Sequence, residues 1–405
     1  MMDIRRPDFI NAAMTSRSHS SIREMIMAII LFFLGTFVGS IIQAPAIFVY
    51  FINNKEYMDM VRSGSVSAAK ILDMAHHMPA WTVALALCAS AGILAAAIFY
   101  CKLVEKRKAY SMGFSKKSCV FYYLAGLGLG VFMIGLVYAI SIFLGIVRID
   151  VSFQEGTEVS VIFLFFFGYL IEGMAEEALC RGFLLVSLTK RYTVFFSLVL
   201  SSVFFAFFRG LNSELSVLSY INLMLFGCFM GLLFLRFENI WLVGAFHGIW
   251  NFIQMNILGS RGGNADAPYS LFSVSLAEGQ EMVHGGVNGM EGGLTVTLVL
   301  LLGIGILVLE MRRKGMFVKT GPVENPYDRA YYEEFQRFMR ENAGNRMGHL
   351  RKDRDDRKVV GDMPINEEMI RMAEKQHTVE KGEENREPGE EKVRKTEFDQ
   401  NYFKQ

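Results

Sequence analysis

Three carboxylates and a guanidinium interrupt an otherwise apolar part of the chain between Glu172 and Arg181. If this stretch is helical, Glu172 and Glu176 share one face and Glu177 and Arg181 share another, because each pair is four residues apart. An ionisable side chain at bilayer depth costs roughly 2.5–3.5 kcal/mol on insertion scales, so a cluster is retained only where it is paired and faces protein or water. A buried Glu177–Arg181 pair that fixes helix packing would explain half of the pattern and leave Glu172 and Glu176 without a role.

Further polar groups lie in apolar runs later in the chain. His247 and Asn251 are again four residues apart, so the imidazole and the amide share one helix face. A lone histidine in a membrane span is often a packing residue, but the amide beside it favours a site shared with Glu176. Arg209 ends the run Phe205-Ala-Phe-Phe and lies at or near bilayer depth. A long arginine side chain that reaches the outer interface from a helix end is the alternative interpretation of Arg209.

This set of groups is sufficient for hydrolysis of a peptide bond. A glutamate takes a proton from water, while an imidazole and an amide donate hydrogen bonds to the oxyanion. The zincin pattern of two histidines four residues apart, with a glutamate between them, is not present in the sequence. Zinc would have to be held by His247 and carboxylates, which gives it poor support, so we predict no cofactor and no metal ligands.

The composition is typical of a protein that crosses a membrane several times. Of the 405 residues, 52% are hydrophobic and 13% aromatic, and the net charge of +1 gives no reason to expect nucleic acid as a partner. The predicted fold class is all-α, a polytopic membrane bundle of about eight transmembrane helices with a charged cytoplasmic tail. The runs long enough to cross roughly 30 Å of hydrocarbon lie at 25–52, 79–101, 119–147, 159–188, 193–210, 217–235, 239–258 and 294–310.

Lys and Arg alternate in abundance from loop to loop, which predicts both termini on the cytoplasmic side. Segments 102–117 and 312–314 are basic, whereas the loops around 150–158 and 266–291 are acidic or mixed. We therefore expect a multi-pass protein of the cell membrane. The glycine-rich segment 259–293 is predicted to be a mobile loop.

The sequence predicts three parts in the chain. Residues 1–110 hold two transmembrane helices, residues 111–314 form a six-helix membrane core, and residues 315–405 form the cytoplasmic tail. The polar groups described above all lie within 159–256 of the core. In the tail we predict one amphipathic helix near 327–342, followed mostly by disordered chain.

The motifs resemble those of the CAAX-protease and bacteriocin-processing family, also called CPBP or Abi, whose members are intramembrane glutamic endopeptidases. The family has three motifs in the order EExxxR, FxxxH and HxxxN. Glu176 to Arg181 resembles the first motif, and His247 to Asn251 resembles the third. The resemblance implies that Glu176 activates water, that His247 and Asn251 stabilise the oxyanion, and that Glu177 and Arg181 support them.

The second motif departs from the family pattern. Where the family has FxxxH, this chain has Phe205-Ala-Phe-Phe-Arg209, and the other six histidines lie outside the apolar runs. Arginine has no acceptor atom, so Arg209 cannot share a proton with water. Two hypotheses stay open: an altered but working endopeptidase, in which Arg209 orients a substrate carboxylate or stabilises an oxyanion, and a pseudoprotease that serves as a membrane binding or immunity scaffold. The implied partners are the lipid bilayer and a peptide or protein substrate within or at the membrane.

Overall fold

The computed structural model describes most of the first 319 residues and a few positions beyond them. These are residues 2–15, 18–76, 78–150, 159–210, 215–260, 269–319, 329–330, 332–333, 359–360 and 363–364. The chain divides into two compact units, residues 1–328 and 329–405. The amphipathic helix predicted near 327–342 and the tail predicted to be disordered lie almost entirely outside the described residues. The division into three parts stays a prediction.

Helices dominate the first unit. Its α-helices are, in chain order, α1 Asp8–Asn11, α2 Ser21–Asn53, α3 Lys55–Ser63, α4 Ala68–His76, α5 Ala80–Cys88, α6 Ala91–Phe99, α7 Cys119–Phe143, α8 Val159–Glu177, α9 Val186–Leu188, α10 Val194–Gly210, α11 Val217–Phe237, α12 Ile240–Phe252, α13 Glu281–His284 and α14 Leu294–Arg313. Three π-helical segments continue α6, α8 and α12, over Tyr100–Val104, Ala178–Leu185 and Ile253–Ile257. Short 3₁₀ turns are formed by Ala109–Met112, Gly286–Asn288 and Met290–Gly292.

The helices confirm the predicted all-α membrane bundle. In the described part of the chain, six helical segments are long and apolar enough to cross a membrane, namely Ser21–Asn53, Ala80–Val104, Cys119–Phe143, Val159–Leu188, Val217–Phe237 and Leu294–Arg313. The predicted fifth span is the shorter apolar helix α10. The predicted seventh span is α12 with its π-helical continuation, and most of α12 is buried. These two are the spans that carry Arg209, His247 and Asn251.

Short strands pair segments at the ends of the bundle. In the first unit, β1 (Met2–Ile4) pairs antiparallel with β4 (Phe317–Lys319), and β2 (Val147–Asp150) pairs antiparallel with β3 (Ser273–Leu276). The second unit contains β5 (Val359–Val360) paired with β6 (Met363–Pro364).

The prediction of a mobile loop at 259–293 is wrong for residues 269–293. This part contains β3, α13 and two 3₁₀ turns, and the side chain of His284 is 3% exposed. His284 Nε2 lies 2.9 Å from the carbonyl oxygen of Ala277. The glycines that suggested mobility serve tight turns instead, since Gly285 and Gly289 have φ of 85° and 66°.

Small residues let α8 and α12 approach closely, which places the polar faces of the two helices side by side. A Cβ atom on Gly248 of α12 would lie 2.6 Å from the carbonyl oxygen of Tyr169 and 2.8 Å from Cα of Leu170, both on α8. Gly173 of α8 lies in the same contact, against the backbone of Gly248. Glycine is needed at such positions because a side chain would push the two backbones apart.

A buried charge cluster ties the loop after α6 to the segment that follows α9. Glu105 Oε2 lies 2.8 Å from Arg107 Nε and 2.9 Å from Lys190 Nζ, and the three side chains are at most 5% exposed. Thr15 Oγ1 donates to the carbonyl of Glu105 at 2.7 Å, which attaches the N-terminal segment to the same point. Burial acts to raise the pKa of Glu105, but Arg107 and Lys190 together outweigh it and hold that pKa below its ordinary value of 4.5.

The close approach of α8 and α12 predicts a loss of stability for Gly248→Ala. Its free energy of unfolding is expected to fall by about 1–3 kcal/mol, because a methyl group has no room between the two backbones. Gly128→Ala in α7 is the matched control, since a Cβ there would meet no heavy atom within 4 Å. Unfolding midpoints in detergent, followed by tryptophan fluorescence, measure both variants, and equal midpoints would contradict the packing.

The Glu105 cluster predicts a stability that depends on pH. The pKa of Glu105 is lower in the folded than in the unfolded chain, so its contribution is present above pH 4.5 and is lost as pH falls through the folded pKa. The wild type is therefore expected to be more stable than Glu105→Gln at neutral pH, with a difference that shrinks below pH 4.5. Glu56→Gln, at a carboxylate that is 60% exposed, is the control. Unfolding midpoints across this pH range measure the difference, which would stay constant if the cluster did not matter.

Candidate active site

The Glu177–Arg181 pair lies where the α-helical part of the fourth span gives way to its π-helical part. Arg181 Nη1 donates to Glu177 Oε1 at 2.7 Å, and the two side chains are 1% and 0% exposed. Arg181 Nη2 also donates to the carbonyl of Gly227 on α11 at 2.9 Å. Its guanidinium carbon lies 4.9 Å from the ring centre of Phe205 on α10. Arg181 therefore joins three helices and fixes where Glu177 points.

The same Glu177 oxygen orients the imidazole of His247. His247 Nδ1 lies 2.9 Å from Glu177 Oε1. Because Glu177 is an acceptor for Arg181, Nδ1 carries the hydrogen of this second bond. The rings of Phe205 and Phe226 enclose the imidazole, with centroid distances of 5.7 Å and 5.2 Å. The other ring nitrogen, Nε2, is thereby turned towards Glu176, whose Oε2 lies 3.7 Å away.

Glu176 is the member of the adjacent glutamate pair that reaches open space. Its side chain is 18% exposed, whereas that of Glu177 is fully buried. Arg209 Nη1 donates to Glu176 Oε1 at 3.2 Å. Among the described residues, Glu176 Oε2 has no hydrogen-bond partner. One oxygen of Glu176 is therefore held by a cation, and the other is left for a ligand or a proton.

Glu172, to which sequence reasoning assigned no role, holds the Asn251 amide. Asn251 Nδ2 donates to Glu172 Oε2 at 3.3 Å. The bond runs between α8 and α12, one helical turn away from the Glu176–His247 contact. Since an amide nitrogen carries two hydrogens, Nδ2 keeps a second donor for another acceptor.

These side chains meet at one large cavity and a smaller pocket beside it. The cavity has a volume of about 710 Å³, and its walls include Glu172, Glu176 and Arg209. The smaller pocket is lined by Arg209, His247 and Asn251. The structure thus brings the predicted catalytic residues and Arg209 together, while their chemical roles stay predictions. Apolar walls are formed by Phe32, Ile93, Leu179, Phe204, Phe208 and Leu223.

Sequence reasoning missed several polar residues at these cavities, among them Glu291 and Asn222. Asn222 Nδ2 donates to the carbonyls of Glu291 at 2.7 Å and Gly293 at 3.0 Å, and Thr297 Oγ1 donates to Asn222 Oδ1 at 2.6 Å. These bonds hold the backbone of Glu291 beside the two cavities that this residue lines. The amide of Asn222 inside an apolar run is a usable signal in the sequence, whereas Glu291 lies in the glycine-rich segment that the sequence predicts to be mobile.

No group of three or more His, Cys, Asp or Glu side chains in the described part of the chain is arranged to hold a metal ion. The site is instead a set of opposite charges and hydrogen bonds.

Removing the charge of Glu177 is expected to destabilise the protein strongly. Glu177→Gln leaves the Arg181 guanidinium buried without its anion, which costs about 3–5 kcal/mol in comparable buried pairs. Asp59→Asn is the control, because Asp59 and its partner Arg62 lie 3.9 Å apart and are both 75% exposed. Unfolding midpoints in detergent measure both variants. A Glu177→Gln protein as stable as Asp59→Asn would show that the pair does not organise the helices.

Comparison with known protein families agrees with the motif assignment. Residues 158–253 match the family described as type II CAAX prenyl endopeptidase, Rce1-like. The resemblance drawn from the motifs is therefore confirmed over this segment, which extends from the start of α8 into the π-helical turn after α12. No curated protein matches the chain as a relative.

Proposed function

We propose that this multi-pass membrane protein is an intramembrane endopeptidase of the CAAX-protease type, in which Glu176 activates the water that attacks a peptide bond. The family match over residues 158–253 supports the class of enzyme. The observation that carries the assignment of the base is the contrast between two neighbouring carboxylates. Glu177 is fully buried and bonded to Arg181, whereas Glu176 is 18% exposed at a cavity of about 710 Å³.

In this proposal Glu176 moves one proton through the reaction. Its carboxylate takes a proton from water, and the resulting hydroxide adds to the carbonyl carbon of the substrate. The tetrahedral intermediate collapses when Glu176 returns the proton to the leaving amine. We assign this exchange to Oε2, which has no hydrogen-bond partner among the described residues and lies 3.7 Å from His247 Nε2.

The oxyanion of the intermediate is assigned to His247 and Asn251, in the pocket that both residues line. Because Nδ1 of His247 already donates to Glu177, Nε2 donates to an oxyanion only when the ring carries both protons. Asn251 offers the second hydrogen of an amide nitrogen whose first bonds to Glu172. Arg209 lines the same pocket and supplies a third, permanently charged donor.

A catalytically inactive pseudoprotease that acts as a membrane binding or immunity scaffold is the second candidate. The ion pair between Arg209 and Glu176 is the observation that favours it, since the guanidinium occupies one oxygen of the carboxylate that would have to take a proton from water. Both candidates place the partner, a peptide or protein segment, in the same cavity within the bilayer. The cytoplasmic position of both termini and the cell membrane as location belong to this proposal as well.

The proposal predicts cleavage that depends on Glu176. With a library of quenched fluorescent peptides and purified protein in liposomes, the wild type is expected to cleave some members. Glu176→Gln is expected to lower kcat/KM on these peptides by at least about a hundredfold, because it removes the general base. Asp59→Asn, at a side chain that is 75% exposed, is the control and should cleave as the wild type does.

Arg209→His, which restores the family motif, separates the two candidates. Cleavage by Arg209→His alone would identify the natural protein as a pseudoprotease. If neither the wild type nor Arg209→His cleaves any peptide, the endopeptidase proposal is wrong.

A further inference from the structure

Gln254 is a buried polar residue at the cavity that none of the family motifs includes. It follows Asn251 by three residues and His247 by seven, so it continues their face of α12 into the π-helical segment Ile253–Ile257. The residue is 2% exposed and lines the same cavity as Glu172 and Glu176. In the part of the chain that the structure describes, its side-chain oxygen Oε1 has no hydrogen-bond partner.

An amide oxygen in this position needs a donor. A buried acceptor without a partner is destabilising, and the great majority of buried polar atoms in proteins are therefore paired. Two carboxylates at the same cavity each have a donor, since Glu172 Oε2 accepts from Asn251 and Glu176 Oε1 accepts from Arg209. The second oxygen of Glu176 is the one that we assign to the reacting water. Gln254 Oε1 is therefore a buried acceptor whose bond is still to be made, and a turn of the side-chain amide about its soft terminal torsion brings it to the cavity that the residue lines.

A peptide that enters the cavity brings backbone N–H groups, which are the donors that this acceptor needs. Every residue of an extended peptide except proline carries one N–H donor and one C=O acceptor, and each must be paired when it leaves water. The carbonyl at the scissile bond would face the donors of His247 and Asn251. A backbone N–H next to the scissile bond then needs an acceptor on the same wall of the cavity. Gln254 can provide it, because it lies one helical turn beyond Asn251.

We propose that Gln254 Oε1 accepts a hydrogen bond from a backbone N–H of the bound peptide, close to the scissile bond. This inference rests on the proposed function, because it concerns the same cavity and the same substrate class. Gln254 is then a substrate-binding residue that sets which peptide bond lies at Glu176. Because its hydrogen bond is to the peptide backbone, it does not depend on the side chains of the substrate.

The test replaces single backbone N–H groups of the substrate by ester oxygens. A peptide that the wild type cleaves is made again with an ester at each position in turn, leaving the scissile bond intact. For the wild type, one ester is expected to lower kcat/KM by about tenfold, because it leaves Gln254 Oε1 unpaired. For Gln254→Met, of similar length without the acceptor, the all-amide peptide should lose about tenfold and that ester should make no further difference.

Asn256→Leu is the matched control. Asn256 lies two residues further on, is 3% exposed and also has an unpartnered buried oxygen, but its Nδ2 donates to the carbonyl of Tyr269 at 2.9 Å. This variant is expected to keep the full sensitivity to the ester even if its stability falls.

Binding of the same peptides to Glu176→Gln, measured by fluorescence anisotropy, separates this inference from the proposed function. If the wild type binds these peptides without cleaving any of them, and the ester effect on binding needs Gln254, the endopeptidase is rejected and the inference is supported. An ester effect that is equal in Gln254→Met and in the protein with Gln254 would overturn the inference alone. A wild type that neither binds nor cleaves any peptide would overturn both.

Discussion

The geometry of the site depends on one carboxylate oxygen that accepts two hydrogen bonds. Glu177 Oε1 receives Arg181 Nη1 at 2.7 Å and His247 Nδ1 at 2.9 Å, and Arg181 continues to the carbonyl of Gly227. The contact links the fourth span to α11 and α12. In an interior of low dielectric constant an unpaired charge is costly, so the helices are held in the register that keeps these groups paired. The contact of Gly173 with Gly248 supports the same register. It keeps the backbones of α8 and α12 close together, so that the side-chain hydrogen bonds between these two helices can form.

Much of the bundle could be predicted from the sequence because the bilayer imposes a length on each span. The fourth span was predicted at 159–188 and is helical over Val159–Leu188. The predicted seventh span at 239–258 corresponds to Ile240–Ile257. The spacing of four residues also predicted which polar groups share a face, and the Glu177–Arg181 ion pair follows that spacing. Such features depend on residues that are close in sequence, which is why they can be read without a structure.

The rest depends on contacts between residues far apart in the chain. Nothing in the sequence pairs Glu172 with Asn251, because that bond needs the docking of α8 on α12. The glycines between 285 and 293 predict mobility, yet the positive φ of Gly285 and the bonds from Asn222 to the carbonyls of Glu291 and Gly293 belong to an ordered segment. That Gln254 Oε1 has no hydrogen-bond partner among the described residues cannot be predicted from the sequence for the same reason, since burial and pairing are properties of the folded bundle.

Arg209 changes the charge balance of the site as well as its donors. Two of the three glutamates of α8 are paired with guanidiniums, Glu177 with Arg181 and Glu176 with Arg209. The third, Glu172, accepts a hydrogen bond from the amide of Asn251. A histidine at position 209 would supply positive charge only when protonated, whereas the guanidinium is always charged. Its 3.2 Å bond occupies Oε1 of Glu176 and leaves Oε2 without a partner among the described residues, so the ion pair and the proposed base use different oxygens. If Arg209 also donates to the oxyanion, as proposed, one guanidinium would hold both the base and the intermediate in place.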